Sequence, residues 1–165
     1  MIVGNGDIAS VLNDRTGALI FASGVSNSNC TDELEFQREI GLLRFNAIAS
    51  LSFGIKCCFY FSTLSINFKV SRYTKHKLEM EDLVKQYFPS YNIIRIGNIS
   101  WGNNPNTFIN YIRNKKAKGE PVEIRDEWKY IISKEQLLLL TDNLPLTGKN
   151  EISVFGECKK VIDCL

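Results

Sequence analysis

The chain has 165 residues, of which 44% are hydrophobic and 23% charged, a composition typical of a globular domain that is large enough for a core of its own. The formal net charge is +2, with twenty basic residues spread among eighteen acidic ones, which argues against nucleic acid as a partner. No run of about 18 apolar residues is present, and the N-terminus lacks the pattern of a signal peptide, so we expect neither a membrane span nor secretion.

The N-terminal residues predict a short strand followed by a glycine-rich turn. The strand is Met1-Ile2-Val3, and Gly4-Asn5-Gly6-Asp7-Ile8-Ala9 has the G-x-G-x-x-A spacing of a dinucleotide-binding turn. In such a turn the glycines let a pyrophosphate approach the backbone, and the N-terminus of the next helix binds it. These residues fit a plain strand–turn–helix equally well. We expect a brief helix from Ile8 that ends at Thr16-Gly17.

Strands and helices alternate through the rest of the chain. Apolar runs predict strands, and apolar residues at helical spacing predict helices. Such alternation favours a parallel α/β sheet. The predicted strands are 18–22, 55–61, 92–96, 122–124, 128–132 and 150–155, and the predicted helices are 31–52, 73–87, 107–116 and 133–143.

Tyr73 and Lys77 lie four residues apart at the start of the 73–87 helix, so their side chains share one face. A nearby ammonium lowers the pKa of a phenol, which makes the phenol a usable proton donor and acceptor. The strand at 55–61 leads into Ser62-Thr63 at its carboxyl end, where open α/β sheets bind ligands. The alternative interpretation is a structural Tyr–Lys pair and a Thr63 hydroxyl that caps a turn. His76, the sole histidine, is expected to be exposed.

The cysteines are Cys30, Cys57, Cys58, Cys158 and Cys164. Their number is odd, their spacing is irregular, and no CxxC pair or histidine cluster accompanies them. This pattern predicts reduced thiols, a cytoplasmic protein and no metal site.

Taken in order, these segments resemble the extended branch of the short-chain dehydrogenase/reductase superfamily, which includes nucleotide-sugar epimerases, dehydratases and reductases. The resemblance covers nearly the whole chain. It implies a single Rossmann-like NAD(P)-binding domain over residues 1–165, with a small substrate-side lobe from about residue 103. The matching segments are Gly4-x-Gly6-x-x-Ala9, Phe21-Ala22-Ser23-Gly24, Phe61-Ser62-Thr63, Tyr73-x-x-x-Lys77, Arg95-x-x-Asn98 with Gly102, and the stretch from Lys129 to Leu137.

The resemblance also implies roles for individual residues. Tyr73 would exchange a proton with a substrate hydroxyl or carbonyl, Lys77 would lower its pKa and hold the nicotinamide ribose, and Thr63 would bind the same substrate oxygen. Asn98 and Lys129 would bind the substrate, although Lys129 stands where the family usually has an arginine. The residues implied to bind NAD or NADP are Gly4, Asn5, Gly6, Asp7, Ile8, Ala22, Ser23, Gly24, Tyr73 and Lys77.

The resemblance implies a nucleotide-linked sugar as substrate, a role in polysaccharide synthesis, and pairing of two copies through the helices at 33–51 and 73–87. The chain departs from the family in lacking the usual second and third strands, which carry the binding site for the adenosine, and in its short 63–73 loop. A right-handed connection from the first strand to 18–22 would also have to change sheet face, so either the topology differs from the parent fold or 18–22 is not the neighbour of the first strand. The alternative function is therefore an inactive Rossmann-like protein that binds a nucleotide or another subunit.

Overall fold

A computed structural model describes residues 1–105, 107–122 and 128–164. Its helices are α1 (Glu33–Ser52), α2 (Arg72–Tyr87), α3 (Phe108–Ala117) and α4 (Lys134–Asn143), and single 3-10 turns span Ala9–Val11, Leu64–Asn67 and Val161–Cys164. Its strands are β1 (Ile2–Val3), β2 (Ala18–Phe21), β3 (Cys57–Thr63), β4 (Ser90–Ile96), β5 (Asn98–Ile99), β6 (Trp128–Ile132), β7 (Lys149–Val154) and β8 (Glu157–Lys160).

The main sheet is parallel and has the strand order β1-β2-β3-β4-β7. The α/β Rossmann-like expectation is therefore confirmed, and β1 lies at the sheet edge without the family's second and third strands. Strands β5, β6 and β8 form a small separate sheet, in which neither β5 nor β8 was predicted. The strand expected at 122–124 falls mostly on residues 123–127, outside the described part of the chain.

Side-chain caps place the starts of three helices close to where the sequence predicts them. Asp32 accepts the backbone N–H of Leu34 at the start of α1. Ser71 and Ser133 each form a capping box, before α2 and α4 respectively. Such caps satisfy N–H groups that the first helical turn leaves unpaired. Because Ser71 caps α2, Tyr73 lies in the first turn of that helix.

Alternating strand residues pack two different layers against the sheet, as the twofold repeat of a strand requires. On one face, Leu19 and Phe21 of β2 pack in the same cluster as α1 and α2. On the other face, Ala18 and Ile20 pack with α4. The β1–β2 connection contributes to this second cluster through Ile8, Val11 and Leu12.

The β1–β2 connection differs from the brief helix that the sequence predicts. It contains only the 3-10 turn Ala9–Val11, and Arg15 Nη1 anchors it to the end of α4 by donating to the carbonyls of Thr141 (2.7 Å) and Leu144 (2.6 Å). Because it lies on the α4 face, its crossover has the opposite sense to those made by α1 and α2. Because β1 pairs with β2 in parallel, 18–22 is the neighbour of the first strand, and the connection, which has no full helix to pack back onto the sheet, departs from the right-handed rule.

Candidate functional site

A cleft of about 1390 Å³ opens at the carboxyl ends of β1 to β4, the edge at which parallel α/β sheets bind ligands. Every residue predicted to bind or react, with the exception of Gly4, lines it. The predicted residues that the cleft brings together are Asn5, Gly6, Asp7, Ile8, Ala22, Ser23, Gly24, Thr63, Tyr73, Lys77, Asn98 and Lys129.

Tyr73 lies in the first turn of α2 and is only 7% exposed. Burial raises the pKa of its phenol above the ordinary value; the Lys77 ammonium and hydrogen bonding by Thr63 lower it, and the Glu39 carboxylate raises it further. Lys77 therefore lowers the pKa of the Tyr73 phenol as expected, but burial raises that pKa by more. Thr63 Oγ1 also accepts the N–H of Ser65 at 3.1 Å. The hydroxyl thus caps a turn, and its proton is still available to a second partner.

Lys77 belongs to a buried network that the sequence interpretation missed. Its ammonium donates to Glu39 Oε1 at 2.9 Å, and the hydroxyl of Tyr60 donates to the same oxygen at 3.0 Å. The other carboxylate oxygen, Oε2, bonds to His76 Nε2 at 2.9 Å and accepts the backbone N–H of Val25 at 2.8 Å. Glu39 and His76 are both fully buried, so Glu39 joins α1, α2, β3 and the loop after β2.

The expected exposure of His76 is wrong. Its ring lies 4.4 Å from that of Phe36, because α1 covers this side of α2. The sequence did contain a signal for Glu39, since the buried residues of α1 are Phe36, Glu39, Leu43, Ala47 and Ser50, three or four positions apart. A glutamate in such a stripe is a candidate for a buried ion pair.

The network predicts a specific loss of stability in acid. Burial alone would raise the pKa of Glu39, but the Lys77 charge and the hydrogen bonds from His76 and Val25 outweigh it and lower the pKa from 4.5 to about 2. Glu39 therefore contributes roughly 3 kcal/mol that is fully present above about pH 4.5 and is lost as the pH falls toward 2. Urea unfolding between pH 6 and pH 2 measures this contribution. Glu39→Gln should flatten the dependence, and an equally steep curve in that variant would contradict the assignment.

The glycine turn keeps its backbone geometry but lacks the expected helix. Gly4 has φ of +131°, and a Cβ there would lie 2.4 Å from the carbonyl oxygen of Ala22, so only glycine fits. A Cβ at Gly6 would meet nothing within 4 Å. The three-residue turn Ala9–Val11 does not offer the helix N-terminus expected to bind a pyrophosphate, and that prediction is wrong.

A second segment closes over the glycine turn. The Asp7 carboxylate accepts the backbone N–H groups of Asn103 (3.1 Å) and Asn104 (3.0 Å), and Trp101 Nε1 donates to the Asp7 carbonyl at 2.9 Å. The Asp7 carboxylate therefore occupies the two backbone N–H groups that lie nearest to the glycine turn. An anionic phosphate group would meet like charge at this position.

On the substrate side, Asn98 and Lys129 line the cleft as expected. Asn98 Nδ2 donates to the Tyr130 carbonyl at 3.3 Å, and Lys129 Nζ lies 5.5 Å from the ring centre of Phe108. Tyr130 stacks on Phe68, with ring centres 6.1 Å apart. This side of the cleft thus presents aromatic faces together with a cation.

A dinucleotide fits this cleft at one end only. Tyr73, Lys77 and the Gly24 backbone converge where a nicotinamide ribose would lie in the implied arrangement, and a Cβ at Gly24 would come within 2.6 Å of Lys77 Nζ. The adenosine end has no counterpart among the described residues, because β1 is the edge of the sheet and Asp7 places a carboxylate beside the turn.

Solved structures with the same fold include the Bordetella bronchiseptica enzyme WbmG in complex with NAD and UDP (TM-score 0.65, 15% identity), covering 89% of this chain and 53% of that one. The Streptomyces venezuelae dTDP-glucose 4,6-dehydratase DesIV, with NAD bound, has a TM-score of 0.69 at 11% identity. The match covers 89% of this chain and 54% of that one. The Thermus thermophilus UDP-glucose 4-epimerase, complexed with NAD, has a TM-score of 0.66 at 15% identity, with 90% and 59% covered.

The chain has the fold of the NAD-dependent epimerases and dehydratases. The expected structural resemblance is thereby confirmed, over little more than half the length of those structures. No protein-family model and no curated protein matches the sequence. Among the described helices, none has the length and apolar character needed to cross a bilayer.

Proposed function

We propose that this epimerase/dehydratase-like chain is an NAD(P)-dependent oxidoreductase, epimerase or dehydratase that acts on a nucleotide-linked sugar through Thr63, Tyr73 and Lys77. The observation that carries the proposal is the convergence on Tyr73: Thr63 and Lys77 both act on its phenol at the carboxyl end of β3. NAD(P) supplies the hydride chemistry when bound.

In this proposal each side chain has a defined task. Tyr73 gives or takes the proton of a substrate hydroxyl or carbonyl, and Thr63 orients the same oxygen through a hydrogen bond. The Lys77 ammonium favours the phenolate form of Tyr73. Asn98 and Lys129 also line the cleft, where they would contact the phosphates of the substrate.

Binding of NADH or NADPH is the direct test. We expect a saturable change in nicotinamide fluorescence, with matching heat in calorimetry, since Gly24, Tyr73 and Lys77 line the same cleft. The Gly24→Ala change places a methyl group against Lys77 and should weaken binding, whereas Gly41→Ala on α1 puts a methyl group into open space and is the control. Failure of both cofactors to bind would refute the proposal.

A second candidate function is binding of a nucleotide-sugar or of another subunit without turnover. Two observations favour it: β1 ends the sheet where an adenosine would be bound, and the Lys77 charge is neutralised by Glu39. Thermal shifts distinguish the candidates. Stabilisation by a UDP-sugar but not by NADH or NADPH would favour the non-catalytic function.

We also propose a homodimer formed through α1. Three large apolar side chains project from the side of this helix that faces away from the sheet: Leu34 (80% exposed), Phe45 (71%) and Ile48 (59%). Such a stripe on a helix is typical of a protein interface. Light scattering should therefore give twice the chain mass, and Phe45→Glu should give the monomer. Leu139→Glu, an equally exposed position on α4, is the control; a wild-type chain that is monomeric at high concentration would contradict the dimer.

A further inference from the structure

Glu39 is a fully buried carboxylate that does not line the cleft. It contacts the cleft lining through the Lys77 ammonium and through the backbone N–H of Val25. Its two oxygens form hydrogen bonds with Lys77, Tyr60, His76 and the backbone N–H of Val25. Removing a charged group from water is costly, so Glu39 can stay ionised in this position only because these partners stabilise its charge.

The Lys77 ammonium is held on several sides. It donates to both oxygens of Glu39, at 2.9 and 3.3 Å, and lies 3.3 Å from the Tyr60 hydroxyl. The Gly24 backbone approaches it closely, and its Nζ lies 5.8 Å from the ring centre of Tyr73. The side chain is 3% exposed. Water therefore contributes little to the stability of this charge, and Glu39 is the anion that compensates it.

We propose that Glu39 is a positioning residue, which keeps the Lys77 ammonium charged and fixed between the Gly24 backbone and the Tyr73 phenol. The effect of this role on proton transfer by Tyr73 rests on the proposed function. The charge and position of Lys77 can be tested without it. Glu39 remains ionised over the neutral range because its pKa is about 2. No other described acid contacts the Lys77 ammonium.

The remaining groups around Lys77 cannot replace Glu39. Tyr60 is neutral, since burial and the Glu39 charge raise the pKa of its phenol well above the ordinary value. His76 uses Nε2 on Glu39, and its Nδ1 lies 3.9 Å from Glu79, on the far side from Lys77. With a neutral amide at position 39, the ammonium would be buried without a counter-charge, and such amines give up their proton at lower pH.

The test is competitive acetylation of the ligand-free chain, followed residue by residue with mass spectrometry across a pH series. Neutral amines react and ammonium groups do not, so the pH at which Lys77 becomes reactive reports its charge. In Glu39→Gln this pH should fall by at least about one unit, a tenfold gain in reactive amine at a fixed pH. Lys75, exposed on the same helix, is the internal reference, and Glu33→Gln on α1 is the matched control.

An unchanged Lys77 profile in folded Glu39→Gln would overturn the proposal. If that variant does not fold, the double variant Glu39→Gln with Lys77→Met decides. Recovery of the fold in the double variant shows that Glu39 acts through Lys77. If the double variant stays unfolded while Lys77→Met alone folds, Glu39 serves the other elements of the network and the proposal is wrong. None of these readouts needs a cofactor, so a chain that binds no NADH can still support the inference.

Discussion

Replacing Tyr73 by phenylalanine is expected to reduce turnover of a nucleotide-linked sugar by about 10²–10⁴-fold, the usual contribution of a positioned general acid or base. The ring would still pack against Val25 and Phe36, so the fold should be retained. Since only the hydroxyl is lost, NADH affinity should stay nearly unchanged. Steady-state kinetics together with NADH titration separates these two effects.

Tyr87→Phe is the matched control for this experiment. Tyr87 lies at the other end of α2 and packs into the core beneath that helix, away from the cleft. The same deletion of a hydroxyl should there leave turnover within about twofold, because surface and core-edge changes away from the site rarely act on chemistry. Full activity in Tyr73→Phe would remove this tyrosine from the mechanism.

The second large effect concerns stability. Glu39→Ala should lower the free energy of unfolding by about 3–5 kcal/mol, because it leaves a buried ammonium and several buried donors without their acceptor. A chain of this size has only about 5–15 kcal/mol to lose, so the variant should be close to unfolding at room temperature. Urea denaturation monitored by circular dichroism measures the change.

Glu33→Ala is a stringent comparison, because Glu33 also bridges α1 to α2. Its partner is Arg72, and both side chains are substantially exposed, at 58% and 30%. Exposed ion pairs contribute about 0–1 kcal/mol, so this variant should be nearly as stable as the wild type. Equal losses in the two variants would mean that burial does not govern the strength of these contacts.

Periodicity was sufficient to predict the parallel sheet and its four principal helices. The apolar run at 55–61 specifies local structure directly, and the observed β3, α2 and α4 begin within two residues of the predicted positions. The carboxyl ends of successive parallel strands share an edge, so the clustering of Thr63 with Tyr73 and Gly24 could also be expected.

The predictions that the structure contradicts were wrong for physical reasons. His76 was assigned to solvent by type, although it can be buried because it bonds to Glu39, and a pairing across two helices cannot be recognised from either helix alone. The helix expected after Gly6 competes with tertiary contacts: Arg15 holds the connection on α4, and Asp7 bonds to the loop at 103–104. Those contacts join residues that are 96 to 129 positions apart, beyond the reach of a sequence window.

The strand order has a consequence for how the chain folds. Each of β2, β3 and β4 pairs with the strand that precedes it in the chain, and β7 joins the same sheet after a long excursion. Contacts between residues that are close in the sequence form faster than contacts between residues that are far apart in it. Gly24, Glu39, Thr63 and Lys77 all lie within the segment that completes β2, β3 and α2. The reacting half of the cleft should therefore assemble early, and the wall carrying Lys129 and Tyr130 should close over it last.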